Sequence, residues 1–363
     1  MNNLKNKIKL FSAIIPVLLM VIGFTGCGSD DPISPPVPGP PSNLTRSGKF
    51  ISFTSNLTGN NDIWLAQVNS SGVLATTGLV YPTNPYNLTA SYTGNDKQSN
   101  WSPDGRVLVF TREQLGGAQE LYAFFFKADG YIDSSFSPNP KKIVGVLNGE
   151  WDNNPSFSPD SNYLIWDRRY DNSNPPGVDT ADARDLYIGT VSGTGNGFAV
   201  NNIHAIKTTS GTDEYNPKWS PKNSVRKIAY ESGTSATATD HNINIIDPFD
   251  TTNNVVYFNS GKSGYPAWEP SCTNIIFELN SGNAGFYKIV KAPYPASGST
   301  TDLVQNSTES NRYPTWLPNG GLIAYINYHT PLGNIYIISS SGGSPAKLLP
   351  AQFDAANNLW PAW

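Results

Sequence analysis

An all-β fold built from small antiparallel sheets is what this sequence predicts, on three observations. Gly (32) and Pro (29) are abundant among the 363 residues, and aromatics reach 12% beside only 14% charged residues. Apolar stretches are short and bounded by turn formers, with little helical periodicity. One aromatic-proline phrase recurs along the chain at a spacing that suits one small sheet per unit. The composition is too aromatic for a disordered chain. Methionine occurs twice, at Met1 and Met20, so the core beyond the leader must be made of aromatic and β-branched residues.

The first 26 residues read as a leader. Lys5, Lys7 and Lys9 precede the apolar run "LFSAIIPVLLMVIGF", which ends in small residues before Cys27. Charge, apolar core and small residues in that order make a secretory signal, too short and too N-terminal for a permanent membrane span. The stretch Phe24-Thr25-Gly26-Cys27 resembles the lipobox of bacterial lipoproteins, with Phe where Leu is usual. The resemblance implies cleavage before Cys27 and lipidation of that residue. Residues 27–46 then form a proline-rich tether near polyproline II, about 50 Å long at roughly 3 Å per residue. The folded domain is expected over 47–363. Its expected location is the bacterial envelope, lipid-anchored at the outer membrane on the periplasmic side or at the cell surface. The pair Asp30-Asp31 resembles the surface-export signal of some envelope lipoproteins.

Losing the three leader lysines leaves 21 of the 24 basic residues against 28 acidic ones, a net charge of −7. That balance excludes nucleic acid as a partner, whose binders carry a basic face. Beyond Cys27 only Cys272 remains, so no internal disulfide forms and packing alone must hold the fold. A turn residue is the simplest role for Cys272.

The recurring phrase runs "NWSPDGRVLVF" from Asn100, "PSFSPDSNYLIW" from Pro155, "PKWSPKNSVRKIAY" from Pro217, "PAWEPSCTNIIF" from Pro266 and "PTWLPNGGLIAY" from Pro314. Trp101, Phe157, Trp219, Trp268 and Trp316 fall in register, and Trp363 of "PAW" makes a sixth, at spacings of 56, 62, 49, 48 and 47 residues. After each aromatic comes a Pro-Asp-Gly-type turn, whose proline presets φ and whose Asp, Asn or Gly accepts tight geometry. A second apolar strand, a more alternating third strand and a short fourth strand follow. The first unit, beginning at "GKFISFTS" (48–55), lacks its aromatic-proline strand, which the C-terminal "LWPAW" supplies. Pairing of that tail with Phe50–Thr54 covers an edge that would otherwise stay open. The expected architecture is a six-bladed β-propeller of four-stranded antiparallel blades, closed by the C-terminal strand. The "WSPDG…VF" units followed by "NDIW" or "NIYII…SGG" resemble the TolB-type propeller repeat, distantly similar to WD-repeat blades, over about 46–363.

Chemistry is harder to place. His204, His241 and His329 fall in different units at unlike repeat positions, so no metal-binding histidine set forms of the kind used by the oligogalacturonate lyases that this repeat resembles. No G-x-S-x-G elbow and no phosphate loop occurs, and no catalytic set is legible. Asp171, Asp179 and Asp182 in the loop 168–184 are oxygen ligands that could take Ca²⁺, without the spacing of an EF-hand. Long loops on a rigid scaffold usually carry recognition. The segments 91–99, 112–119, 148–154, 168–184, 209–215, 232–241, 305–313, 327–333 and 351–359 are expected as loops on one face. They hold Trp151, Arg168, Tyr170, Asp182, Asp213, Glu214, Tyr215, Arg312 and Trp360, including the aromatic and arginine types that anchor interfaces. The expectation is a monomeric, non-catalytic scaffold that binds an envelope protein or peptide through this face and the central funnel. The alternative is a glycan-binding or carbohydrate-active lipoprotein with Trp151, Tyr170 and Trp360 as sugar platforms.

Overall fold

The computed structural model describes residues 49–363 except 146–149, 170–182, 235–240, 281–285, 296–298, 306–307 and 330–331. The leader, the tether with Cys27, and the candidates Tyr170, Asp171, Asp179 and Asp182 lie outside the described residues.

The described chain is strand after strand, in groups of four. β1 (Phe50–Ser55), β2 (Asp62–Gln67) and β3 (Tyr86–Asn87) begin the first sheet. The second holds β4 (Asp96–Trp101), β5 (Val107–Glu113), β6 (Gln119–Phe125) and β7 (Lys141–Val144). The third holds β8 (Trp151–Phe157), β9 (Tyr163–Arg169), β10 (Arg184–Ser192) and β11 (Ala199–Lys207). The fourth holds β12 (Asp213–Trp219), β13 (Ile228–Gly233), β14 (Asn242–Asp247) and β15 (Asp250–Phe258). The fifth holds β16 (Lys262–Trp268), β17 (Asn274–Asn280), β18 (Lys288–Pro293) and β19 (Thr301–Val304). The sixth holds β20 (Ser310–Trp316), β21 (Leu322–Tyr328), β22 (Asn334–Ser339) and β23 (Ala346–Lys347). Within each group consecutive strands pair antiparallel, while a single parallel contact, Gln119 opposite Trp151, joins the second group to the third. β24 (Asn358–Ala362) returns to the first sheet, giving the order β24-β1-β2-β3.

The tail is held in place by more than ladder bonds. Ser52 faces Ala362, Thr54 faces Leu359 and Ser55 faces Asn358. Asn358 is fully buried, donating from Nδ2 to the carbonyls of Gly333, Phe353 and Ala356 and accepting from Ser55 Oγ at 2.8 Å. Phe353, in the short turn just before it, packs edge-on against Phe53 and Trp64.

The register aromatics set the packing between sheets. Trp101 joins a core cluster shared by the first two sheets, Phe157 one shared by the second and third, and Trp219 one shared by the third and fourth. Trp268 and Trp316 do the same for the next two junctions. Trp363 sits in a cluster that mixes Ile51, Phe53 and Ala66 of the first sheet with Ala324, Ile326 and Ile337 of the sixth. A polar link repeats at four of these junctions. In each, the inner strand of one group bonds the residue before the third strand of the preceding group: Asp96 N–H to Asn61 O, Ser263 N–H to His241 O, Asn311 N–H to Tyr287 O, and Asn358 N–H to Gly333 O.

The tight turns after the aromatics form as their sequences require. Ser102 and Ser158 Oγ donate to Asp104 and Asp160 Oδ1 two residues on, and Gly105 supplies a φ of 66°. Cys272 occupies the equivalent left-handed position (φ 59°) and is buried.

The expected loops 91–99, 148–154, 209–215, 305–313 and 351–359 are in part strand. Trp151, Asp213, Glu214, Tyr215, Arg312 and Trp360 belong to inner strands, and Arg168 belongs to β9 rather than to the loop that follows it. The cause is a bulge in each inner strand: pairing slips between Lys97 and Asn100, Asn153 and Ser156, Tyr215 and Lys218, Gly264 and Ala267, and Arg312 and Thr315. A bulge breaks the two-residue alternation by which a strand is recognised.

Candidate functional site where the inner strands meet

Each bulge places one side chain in the same way. Gln98, Asn154, Asn216, Tyr265, Tyr313 and Trp360 all adopt left-handed backbone, with φ of 55°, 52°, 53°, 51°, 54° and 47°. Non-glycine residues take this conformation rarely, and an aromatic there is strained unless its surroundings fix it. All six line one cavity of about 80 Å³. A second layer of wall comes from Asn100, Lys218, Ala267, Thr315 and Ala362. The space suits a few waters, a small ion or the tip of a side chain, and is well below the roughly 300–1,000 Å³ of an ordinary small-molecule pocket.

The wall has two chemically different halves. Gln98, Asn154 and Asn216 present amides; Tyr265, Tyr313 and Trp360 present rings. Tyr265 and Tyr313 meet edge to face at 4.3 Å, and Tyr313 lies 5.9 Å from Trp360. Behind the wall, three carboxylates tie each sheet to the next. Asp167 Oδ2 accepts from Asn154 Nδ2 at 2.7 Å and from Asn216 N–H at 3.4 Å. Glu231 Oε2 accepts from Asn216 Nδ2 (2.8 Å) and Tyr265 N–H (3.3 Å). Glu278 Oε2 accepts from Tyr313 N–H at 3.1 Å while Arg312 grips both its oxygens. The strained bulge amides thereby gain charge-assisted partners. Gly264 is part of the design: a Cβ there would lie 2.7 Å from Glu231 Oε2.

Some polar atoms in and behind the wall find no hydrogen-bond partner among the described residues. Gln98 Oε1 and Trp360 Nε1 on the wall, and Asp167 Oδ1 behind it, are buried without a hydrogen bond. Burial pushes the Asp167 carboxyl up to about 6, against the pull of Arg184 and Asn154. Burial likewise pushes the Lys218 ammonium down to about 8.

Of the residues singled out from sequence, Trp360 lines the cavity, while Arg312 and Tyr215 stand directly behind it. The Arg312 guanidinium lies among the rings of Tyr287, Tyr313 and Tyr265, at 4.5, 4.9 and 5.8 Å. Tyr215 and Glu231 both contact His241 Nδ1 at 2.6 Å, and all three are buried. Asp213 accepts from Arg184 N–H at 2.9 Å. Glu214 is buried, and burial raises its carboxyl to about 7 although Thr209 and Lys207 pull it down. Trp151 and Arg168 line no part of the cavity: Trp151 lies under the Arg169 guanidinium at 5.0 Å, and Arg168 is locked onto Asp152. The wall residues Gln98, Asn154, Asn216, Lys218, Tyr265 and Tyr313 were not singled out. Except for Lys218, which directly precedes Trp219, their signal was the position three before each register aromatic, in "QSNW", "NPSF", "NPKW", "YPAW" and "YPTW", as for Trp360 in "WPAW".

The histidines engage separate partners. His241 holds Glu231, His204 Nδ1 contacts the Asn202 carbonyl, and His329 contacts Glu309. Among the described residues no group of three or more His, Cys, Asp or Glu is arranged to hold a metal ion.

Four buried or half-buried carboxyls give the fold an acid-side signature. Asp152, Asp167 and Asp185 are raised to about 6 and Glu214 to about 7, burial being the first cause in every case. A carboxyl raised on folding binds more protons in the native state, so its contribution to stability grows as pH falls from about 7 to about 4. Urea midpoints are expected to be higher at pH 5 than at pH 7.5; a midpoint that falls across that window contradicts the burial assignments.

Four-stranded antiparallel sheets with inner strands converging on one cavity define a propeller-like fold. The solved structures agree. TolB from Acinetobacter baumannii is 16% identical, with 90% of this chain and 68% of that one covered and a TM-score of 0.59. A TolB candidate from Agrobacterium tumefaciens is 14% identical over 83% of this chain and 88% of that one, with a TM-score of 0.51. An oligogalacturonate lyase in complex with manganese is 12% identical over 84% and 74%, with a TM-score of 0.53. At these identities the likeness establishes a TolB-like propeller fold and carries no activity. No family model and no curated protein matches the sequence.

Proposed function

We propose that the chain is a six-bladed propeller, its ring closed by the C-terminal strand, that serves as an envelope-anchored scaffold and binds a protein or peptide partner. The cavity wall is the observation that carries this reading. Six strained residues, half of them amides and half aromatics, converge with buried donors and acceptors left open. An extended peptide offers alternating donors and acceptors together with side chains that stack on rings, and an interface built on aromatic anchors is the economical use of such a wall. The lipobox-like segment before Cys27 supports attachment to the envelope. The carboxylates proposed for Ca²⁺, Asp171, Asp179 and Asp182, play no part in this reading.

The test is photo-crosslinking in intact cells from a benzoylphenylalanine placed at Tyr313. A discrete protein adduct is expected, reduced at least tenfold by Trp360→Ala. Retention of a polysaccharide instead would replace this reading with the glycan-binding alternative. A chain that captures neither contradicts the scaffold role.

A further inference from the structure

The deeper layer of the cavity wall is uneven. At the position two residues beyond each bulge stand Asn100, Ser156, Lys218, Ala267, Thr315 and Ala362. Five are small or short; the sixth is a lysine. Lys218 is also the one charged residue among those that line the cavity. Its carbonyl accepts from Trp268 Nε1 at 3.0 Å, but its ammonium forms no ion pair and no hydrogen bond among the described residues. A half-buried ammonium without a counter-ion is costly, and the usual remedy is an anion close by.

The neighbouring charges do not supply one at contact. Asp167 on β9 acts on Lys218 without a hydrogen bond to it: its Oδ2 accepts from Asn154 and Asn216, and its Oδ1 has no hydrogen-bond partner among the described residues. Lys97 on β4 and Arg184 on β10 both act on Asp167 as well, while Glu113 and Asp213 act on those two cations and not on Lys218. Across the cavity β16 and β20 present Tyr265 and Tyr313, while Glu278 is taken up by Arg312 and Glu231 by His241. Among the residues that line the cavity, one is cationic and none is anionic. Donors besides the ammonium line the cavity in Asn100, Thr315 and Trp360, whose Nε1 is unpartnered among the described residues.

We propose that this cavity is a carboxylate-binding site, with the Lys218 ammonium as its charged anchor and the Asn100, Thr315 and Trp360 donors as its neutral ones. The small residues of the deeper layer leave the room that the carboxylate occupies. The site deepens the scaffold reading, because it specifies an acidic side chain or a chain terminus as the group that a partner inserts. A volume of about 80 Å³ fits a carboxylate and excludes a whole sugar ring.

The experiment is an NMR titration of lysine side-chain ammonium and ε-methylene signals in the full-length protein, with acetate, neutral acetamide and chloride compared at fixed ionic strength. One lysine signal, absent in Lys218→Met, is expected to shift saturably with acetate and not with acetamide. Lys218→Arg should keep acetate binding as read by chemical shifts of the Thr315 and Trp360 N–H groups, and Lys218→Met should lose it. Because a neutral lysine cannot anchor an anion, affinity should fall about tenfold one pH unit above the point where Lys218 titrates. No saturable acetate response, or an equal response in Lys218→Met, overturns the site. Acetate binding without any crosslinked protein leaves the anion site standing and removes the scaffold reading; a crosslinked partner without acetate binding does the reverse.

Discussion

Deleting Asn358–Trp363 is expected to abolish cooperative unfolding of the domain, with the shortened protein soluble only as an ANS-binding, proteolysis-prone species. Six residues at a chain end would ordinarily be expendable. Here they are the inner strand of the first sheet, and their loss exposes the whole of β1 together with Phe53, Trp64 and Phe353. Trp363 alone, 8% exposed in the cluster between first and sixth sheets, should cost ~3–5 kcal/mol on replacement by alanine. Asn358 adds side-chain hydrogen bonds to three carbonyls; in Asn358→Ala those of Gly333 and Phe353 keep their backbone N–H donors, while the Ala356 carbonyl loses its side-chain donor. Against a typical total of about 5–15 kcal/mol, these losses together leave no stable folded domain. A truncated protein that melts as sharply as the intact one would show that the tail is dispensable.

Arg168→Met is expected to cost ~3–5 kcal/mol, far more than a surface arginine would. Arg168 Nε and Nη2 reach the two oxygens of Asp152 at 2.7 and 2.8 Å, and Nη1 lies 3.5 Å from Glu150. Asp152 is fully buried and also accepts from Trp166 Nε1 at 2.8 Å. The guanidinium plane faces Tyr187 at 5.0 Å, so the substitution removes packing as well as charge. What remains is a buried carboxylate without its cation. Burial already holds that carboxyl at about 6, and loss of Arg168 moves it higher. Protonation then removes the unpaired charge, so the destabilisation should shrink at pH 5 relative to pH 8. Equal destabilisation at both pH values, measured by urea unfolding, would mean that the pair is not the source of the effect.

Arg168 also marks where sequence reasoning had a limit. Its residue type suggested an interface anchor, yet a strand that ends "WDRR" between two buried carboxylates makes it internal wiring. Nothing local distinguishes the two, because the partner Asp152 comes from the neighbouring strand. The repeat itself was legible for the opposite reason. Register aromatics and Pro-Asp-Gly turns are set by short-range grammar, and Trp101, Phe157, Trp219, Trp268, Trp316 and Trp363 each stand between two sheets. Pairing of "LWPAW" with β1 was legible from the missing strand of the first unit.

The cavity wall was hidden by a conflict between local preference and tertiary structure. A residue before proline favours extended backbone, but Asn154, Asn216, Tyr265, Tyr313 and Trp360 all precede proline and are left-handed. The carboxylates of Asp167, Glu231 and Glu278 hold three of the bulge amides in that state, and each comes from the sheet before. The recurring position three before each aromatic marks the site of the bulge but not its backbone conformation, which is why those stretches read as loops. Lys218 was overlooked likewise, since its unusual character appears only when the six repeats are aligned by their bulges.

The central claim is tested most directly by amide hydrogen exchange of the C-terminal peptide in the intact protein, read by mass spectrometry. If β24 is the inner strand of the first sheet, its ladder amides and Asn358 N–H exchange only with global unfolding, at the rate of the β1 amides. Exchange of that peptide at the rate of an unstructured tail, while β1 stays protected, would contradict the proposed ring and the place of Trp360 in the cavity wall.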